Sequence, residues 1–568
     1  METRDKPGAK KGGGGRGGGR GGGRGSPPRP PPPPENLSKP RILVFGLDGG
    51  SFNFISGWLA DGKLPNLARL VAQGTAGELE SSLPPVTSPA WKCYAAGKYA
   101  GKLGVFWWQQ LDPRTREVIT PTSLSFKSAE VWDYLNRAGL RTGVIGVPRT
   151  YPPKTLNGFM VCGGPDVSQT GYTSPPELAA ELEQALDYEL NIKGDFFDAT
   201  QDSPVVQEAL AVIDKTFAAA AYLHRKDPVD FLHITTFDLN RLQHFFFDEA
   251  PTLWAWQIVD KWLGELAPQF DYTLVMSDHG TAKVAKVFFL NAWLKQQGYL
   301  FTRTRPADLL FRLGLNRTTI SRLLDVLHLK RIFPFELMRR IAYLLPSSTG
   351  VFGEFGNQAV VQRVDWTRTR AFALAQGPIY INRINRDLAP TEASYQALCA
   401  ELIQAIEAIR DPETGARVFV KVYRRDEAFH GPYAADGPDL LALNADEYHN
   451  RAGLAQPDPF QAHWQWKGNN RRFGMCILHG PGIRQQAEIS GARIVDLAPT
   501  ILHLADVPLP DDLDGRVLGD AFEPGSALAQ RPLRYQPSLT AAAGPDHSAD
   551  AGYDAEVASR LTGLGYLG

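Results

Sequence analysis

The sequence predicts an α/β protein: a mostly parallel central sheet with helices on both faces and a helical lid inserted late in the chain. Three observations carry that reading. Short apolar, β-branched runs recur along the chain, stretches of helical period separate them, and several runs end in Gly/Asp/Ser/His clusters. In open sheets of this kind the chemistry lies beyond the carboxyl ends of the strands. With 568 residues, 43% apolar and 10% aromatic, the chain can build a large core and is neither fibrous nor wholly disordered. Its 60 basic and 61 acidic residues give a net charge of −1, which excludes a whole-protein electrostatic footprint for nucleic acid or membrane.

The first segment, 1–40, is a Gly/Arg/Pro repeat (GGGGRGGGRGGGRG, then PPRPPPPP) that lacks core-forming residues and reads as disordered. Nine basic against three acidic residues make it a +6 arm. Weak contact with single-stranded nucleic acid or a surface is one reading, and a passive solubilising tail is the other. The segment has no apolar stretch of signal-peptide type, and no eighteen-residue apolar run crosses the chain, so no transmembrane segment and a cytoplasmic location are expected. Cys93, Cys162, Cys399 and Cys476 are far apart without a C-x-x-C pair, which points to neither a disulfide framework nor a cysteine zinc site.

From 41 to 530 the chain reads as one catalytic domain, with 531–568 as a C-terminal extension. Arg41–Leu47 (RILVFGL) is a buried strand, and Thr142–Gly146, Phe231–Thr236, Thr273–Met276, Leu440–Leu443 and Met475–Leu478 are further strands. Pro176–Leu186 and Leu253–Leu266 are intervening helices.

Four strand ends hold polar residues. After the first strand, Asp48 stands between glycines in Gly46-Leu47-Asp48-Gly49-Gly50, and no G-x-G-x-x-G fingerprint competes for the position. Thr87 and Ser88 lie among prolines in PPVTSPAW ahead of a helix start at Lys92–Gly97; the bland alternative is a helix N-cap with proline in the first turn. Asp278 and His279 close the strand Thr273–Met276, where two ligands of different type could meet one ion or simply satisfy a loop. Past Phe231–Thr236 come Asp238, Asn240 and His244, the last two four residues apart on one helical face.

Together these residues resemble the alkaline phosphatase superfamily, in its type I phosphodiesterase/nucleotide pyrophosphatase branch, from about Arg41 to Leu518. The matching segments are Gly-Leu-Asp-Gly, LPNLARL at Leu64–Leu70, PPVTSPAW at Pro84–Trp91, GVPRTYPP at Gly146–Pro153, RLQHFFF at Arg241–Phe247, SDHG at Ser277–Gly280, HGPGI at His479–Ile483, and DLAPTILHLADVPLPDDLDGRVL at Asp496–Leu518. The resemblance implies an alkaline-phosphatase-like fold and a metal-dependent hydrolase of phosphodiester or pyrophosphate bonds acting on small phosphorylated substrates, a nucleotide or lipid head group among them. Asp48 corresponds to a metal ligand, Thr87 to the nucleophile and bridging ligand, and Asp278 with His279 to the pair completing that metal site. A divalent ion there would lower the pKa of the Thr87 hydroxyl, and attack on phosphorus would give a phospho-threonine intermediate. Backbone amides following Thr87 would hold the equatorial oxygens. The resemblance implies one or two divalent ions, Zn²⁺ or Mn²⁺ first, then Mg²⁺ or Ca²⁺.

The second metal position departs from the pattern. Where the family has Asp, His and a second His, this chain has Asn240, His244 and Asn470, so a carboxylate and an imidazole have become neutral amides. Three outcomes stay open. Asp238 replaces the lost carboxylate, with His463 or His479 for the lost imidazole; or one metal suffices and Lys467, Arg471 or Arg241 supplies positive charge at the leaving group; or catalysis has decayed and the scaffold only binds a phosphorylated ligand. A strict sulfatase is excluded, because Trp91 occupies the position its pattern reserves for Arg.

The lid insertion, about 303–350, alternates apolar and basic residues at helical spacing, with nine basic against three acidic residues over Arg303–Arg340. It would steer anions, touch a membrane surface or simply present a solvated face. His224, His328, His449, His503 and His547 have no partner at ligand spacing and read as structural, and neither His430 nor Asp439 receives a role.

Overall fold

A computed structural model describes residues 39–541 apart from 113, 195, 197–198, 304–360, 386–390, 455 and 463–465, together with 557, 560 and 561. The basic tail as far as residue 38, nearly all of the 303–350 insertion, His328, His463, His547 and most of the C-terminal extension lie outside the described residues.

The apolar run at the start of the body becomes strand β1 (Ile42–Leu47), buried at every residue because strands flank it on both sides and helices cover both faces. In chain order there follow α1 (Phe52–Ala60), α2 (Pro65–Gln73), β2 (Thr75–Glu80), α3 (Thr87–Ala96), β3 (Thr142–Pro148), β4 (Gly158–Gly163) and α4 (Pro204–Lys226). Next are β5 (Phe231–Thr236), α5 (Asp238–Phe246), α6 (Ala250–Leu266), β6 (Tyr272–Met276), β7 (Gly280–Lys283), β8 (Lys286–Phe289), β9 (Tyr448–Arg451), β10 (Phe460–Ala462), β11 (Gly468–Arg471), β12 (Phe473–His479) and α7 (Leu497–Leu504). The central sheet runs β2-β12-β6-β1-β5-β3-β4, with two-residue strands at its edges. Its pairings are parallel from β6 through β4, while β12 runs antiparallel between β6 and β2.

Register decides where the chemistry can sit. Leu47 pairs with Thr236, and Gly46 with both Thr235 and Met276, so three adjacent strands end at one level. Asp48, Asp238 and Asp278 follow those ends within two residues. Gly46 has no room for a side chain: a Cβ there would lie 2.3 Å from Thr235 Oγ1 and 2.6 Å from the Trp91 ring.

Leu440–Leu443 forms a strand, as expected, but belongs to a separate antiparallel sheet, where Leu440–Asn444 pairs with Pro378–Ile381 and Phe419–Arg424. An apolar run fixes burial but not the partner strand. Helix Glu392–Glu407 packs there over a second hydrophobic cluster. Asp439 leads into this sheet and takes hydrogen bonds from Arg383, Arg425, Tyr395 and the Ile381 amide, a structural knot. His503 on α7 bonds the Leu528 carbonyl, and His224 accepts from the Val229 amide. All four cysteines are buried and free. Among the described residues no helix is long and apolar enough to cross a membrane.

A buried ion cluster fixes α3 against the domain. Lys92 pairs with Glu130, and Lys154 reaches Glu130 at 2.6 Å and Asp133 at 2.8 Å, with Lys92 and Glu130 each 3% exposed. Burial pushes the Glu130 carboxyl up, but the ammonium groups of Lys154 and Lys92 outweigh it and hold the pKa down to about 2. Replacing Glu130 by Gln leaves two ammonium groups close together in the interior, so E130Q should lose about 3–5 kcal/mol at pH 7. Because the folded pKa lies below the ordinary 4.5, the stabilisation is complete above that value and disappears as pH falls toward 2. Urea titrations of wild type and E130Q should therefore differ at pH 7 and converge in acid; coincident midpoints at pH 7 would contradict this role.

Candidate active site

The side chains of Asp48, Thr87, Asp278 and His279 meet at the carboxyl edge of the sheet, every one of them fully buried. Asp48 follows β1, Asp278 and His279 follow β6, and Thr87 opens α3 from the adjacent loop. Thr87 Oγ1 lies 3.3 Å from Asp48 Oδ1 and 3.2 Å from His279 Nε2. His279 Nε2 is in turn 3.5 Å from Asp48 Oδ1 and 3.2 Å from Asp278 Oδ2. Ligand atoms of the two aspartates and the histidine all lie within 4.8 Å of one another.

Protonation makes this cluster unusual. His279 Nδ1 is 3.0 Å from the Gly280 carbonyl, which can only accept, so Nδ1 holds the proton and Nε2 presents a lone pair to the cluster. Burial drives the His279 pKa down to about 3, keeping the ring neutral. The Thr87 hydroxyl faces Asp48 Oδ1 and His279 Nε2, and among the described residues Asp278 Oδ2 has no hydrogen-bond donor. Burial raises the Asp48 carboxyl to about 7, against the hydrogen bonds from Trp91 and Thr87; burial and then the Asp48 charge raise Asp278 as well. A cation is what such a set of lone pairs accommodates, so the residues fit a divalent ion.

Neighbouring groups fix the four in place. Trp91 Nε1 donates to Asp48 Oδ2 at 2.9 Å, and Gln243 Nε2 donates to the Asp48 carbonyl at 2.9 Å. Gly49 has φ +72 and donates its N–H to Asp278 Oδ1 at 3.2 Å; a Cβ there would sit 2.6 Å from each of Asn240 Oδ1, Gln243 Nε2 and Thr281 Oγ1. Ser88 breaks the helical backbone with φ −108° and ψ 113°, so it stands at the N-cap position of the helix proper with Pro89 in the first turn, as the bland alternative expects, but its side chain makes no capping hydrogen bond. Ser88 Oγ instead accepts from Arg149 Nε at 2.8 Å. Arg149 is wholly buried, donates to the Pro121 and Trp108 carbonyls, and stacks over the Trp108 ring at 4.5 Å. Two of the backbone amides expected to hold phosphate are lost: Pro89 has no N–H, and the Ala90 N–H bonds the Val86 carbonyl at 3.1 Å.

The remaining expected residues separate. His244 lies on α5, donates Nδ1–H to the Gly468 carbonyl at 2.9 Å, and stacks on Trp466 with centroids 4.0 Å apart. Asn240 abuts Gly49, beside the cluster. Asn470 on β11 lines a cavity of about 270 Å³ with Pro84, Pro85, Val86, Gln376 and Arg471, and among the described residues neither amide atom of its side chain has a hydrogen-bond partner. Asp238 does not stand in as a ligand: its carboxylate is held by Arg241 Nη1 at 2.8 Å with both side chains buried, which also removes Arg241 as a free cation for substrate. Lys467 is likewise committed, to Glu249 at 2.5 Å. Arg471 sits between Asp446 at 3.4 Å and Glu78 at 3.6 Å, and it alone of the three expected cations lines the cavity. His479 pairs with Thr273 at the opposite end of β6, far from the strand ends that hold the cluster.

Sequence reading missed Trp91, Gln243 and Arg149 as supports. Trp91 stands four residues after Thr87, but the extended backbone at Ser88 breaks the helix between them, so helical spacing does not relate the two. Arg149 falls within the GVPRTYPP segment, but its partners Ser88, Pro121 and Trp108 come from remote parts of the chain, so its role was not legible.

No curated relative matches the chain. The structure of phosphonoacetate hydrolase from Sinorhizobium meliloti 1021 in complex with phosphonoformate is similar in fold, with a TM-score of 0.54 at 14% identity, covering 82% of this chain and 96% of that one. Human ectonucleotide pyrophosphatase/phosphodiesterase 5 aligns at a TM-score of 0.45 and 13% identity, over 82% of this chain and 95% of its own. Residues 42–463 match the type I phosphodiesterase/nucleotide pyrophosphatase family, and the chain belongs to that family of phosphoric ester hydrolases.

Proposed function

We propose that this chain hydrolyses phosphodiester or pyrophosphate bonds of small phosphorylated substrates, using Thr87 as nucleophile and one divalent cation held by Asp48, Thr87, Asp278 and His279. The observation that carries this reading is the convergence of Asp48, Asp278 and His279, whose ligand atoms lie within 4.8 Å of one another around the Thr87 hydroxyl. Carboxylate, hydroxyl and imidazole together suit Zn²⁺ or Mn²⁺ better than Mg²⁺ or Ca²⁺. When bound, the cation supplies the positive charge that lowers the pKa of the threonine hydroxyl and offsets charge on the phosphate oxygens.

The protein's own groups do the rest. Trp91 and Gln243 orient Asp48, whose Oδ1 faces the Thr87 proton. Thr87 Oγ1 forms a bond to phosphorus as the bond to the leaving alkoxide or phosphate breaks, giving phospho-threonine; water then displaces Thr87 in a second in-line step. Asn240, His244 and Asn470 bring no anionic charge to a second ion, which supports a one-cation enzyme. Arg471 and the unpartnered Asn470 amide, both on the cavity wall, are the groups offered to a leaving-group oxygen. A decayed, binding-only site would be favoured by a basic side chain neutralising the cluster; among the described residues no Lys or Arg pairs with Asp48 or Asp278.

Metal analysis should find about one ion per chain, and Thr87→Ala should lower turnover of bis-p-nitrophenyl phosphate by at least ~10³-fold. Two tightly bound zincs, or a T87A enzyme near wild-type rate, would contradict the proposal. Trp91→Phe keeps an aromatic ring at the site but removes the indole donor to Asp48, so metal affinity measured by competition with a chelator should drop about 10–100-fold; unchanged affinity would show that Trp91 serves packing alone.

A further inference from the structure

Arg451 ends strand β9 and is only 8% exposed, yet its Nε and Nη2 have no hydrogen-bond partner and no carboxylate among the described residues pairs with it. Burial lowers its pKa only to about 10, so it is still a cation at neutral pH. An interior guanidinium without a counter-ion is costly, and a bound anion is one arrangement that offsets that cost.

Strand alternation puts Arg451 on the same face of β9 as His449. His449 stacks on Trp466 with centroids 4.4 Å apart and planes at 11°, and Trp466 stacks in turn on His244. Gln376, on the wall of the 270 Å³ cavity, lies 3.1 Å from His449 Nε2 through its side-chain amide. Burial and then the Arg451 charge hold the His449 pKa well below its usual range, so the ring is neutral and adds no competing cation. Stacked His244, Trp466 and His449 thus run from α5 to the strand that carries Arg451, and Gln376 joins His449 to the cavity wall, while Arg451 itself has no counter-ion among the described residues.

We propose that Arg451 binds a second oxyanion, of the phosphate class, distinct from the phosphoryl group under attack at Thr87. The oxyanion takes up the guanidinium in bidentate fashion, as planar N–H pairs favour. If it is part of the substrate, the enzyme prefers pyrophosphates or other esters with an additional phosphate over simple diesters. That preference rests on the function proposed above, whereas the anion site itself does not.

Calorimetric titration of the metal-loaded enzyme with inorganic phosphate tests both separately. Wild type should show two phosphate sites per chain, and Arg451→Met and Asp278→Asn should each show one. Arg451→Met should also raise Tm in phosphate-free buffer, by ~2 °C or more, because an unpaired interior charge is replaced by an apolar chain of similar length. Equal site counts in wild type and R451M, or a lower Tm for R451M, would overturn the anion site. An unchanged count in D278N with a reduced count in R451M would sink the catalytic reading but uphold the anion site. As a source test, a KM at least ~10-fold higher in R451M for a dinucleotide pyrophosphate, partly restored in Arg451→Lys, assigns the oxyanion to substrate.

Discussion

Two carboxylates face each other in the buried interior, and the rest of the site follows from how that repulsion is resolved. Both ionised within 4.8 Å at an effective dielectric of about 20, they would oppose each other by at least ~3 kcal/mol, and burial, joined at Asp278 by the Asp48 charge, raises both pKa values. One hydroxyl and one indole N–H give Asp48 its donors, and the Gly49 amide is one donor to Asp278. Charged hydrogen bonds contribute about 1.5–3 kcal/mol each, enough to hold the carboxylates in position but without the positive charge their proximity calls for. The neutral imidazole of His279 brings only a further lone pair.

The fold creates this meeting through strand register. β1, β5 and β6 end at one level because Gly46 pairs with Thr235 on one side and Met276 on the other, so acids that are far apart in the chain emerge side by side. Gly46 and Gly49 permit the close approach: a side chain at the first would strike Trp91 and Thr235, and at the second would strike Asn240, Gln243 and Thr281. α3 brings Thr87 to the same point and is tied by Lys92 to Glu130 in the core and by Ser88 to Arg149. Stability and function therefore share parts, and the helix that presents the hydroxyl is anchored by some of the most deeply buried charges in the protein.

Much of this was legible in the sequence. The apolar runs gave the strands of the main sheet, and the polar residues after them gave Asp48, Thr87, Asp278 and His279, because residue type and strand-end position are local properties. Pairing is not local. Leu440–Asn444 had the composition of a core strand and joined another sheet, and Asp238, placed near the site by its position after β5, is occupied by Arg241 three residues away. The roles of Trp91, Gln243, Arg149 and Arg451 depend on neighbours supplied by remote segments, so only the folded chain displays them. His449 read as an isolated structural histidine; its stack on Trp466 links it to His244.

The account depends on a cation at the point where β1, β6 and α3 converge. Anomalous diffraction from crystals of the manganese- or zinc-loaded protein tests it most directly. One peak should appear within about 2.0–2.3 Å of Asp48, Thr87 Oγ1, Asp278 and His279 Nε2, with none beside His244. A map empty at that point, or with its density only between Asn240, His244 and Asn470, would contradict the account.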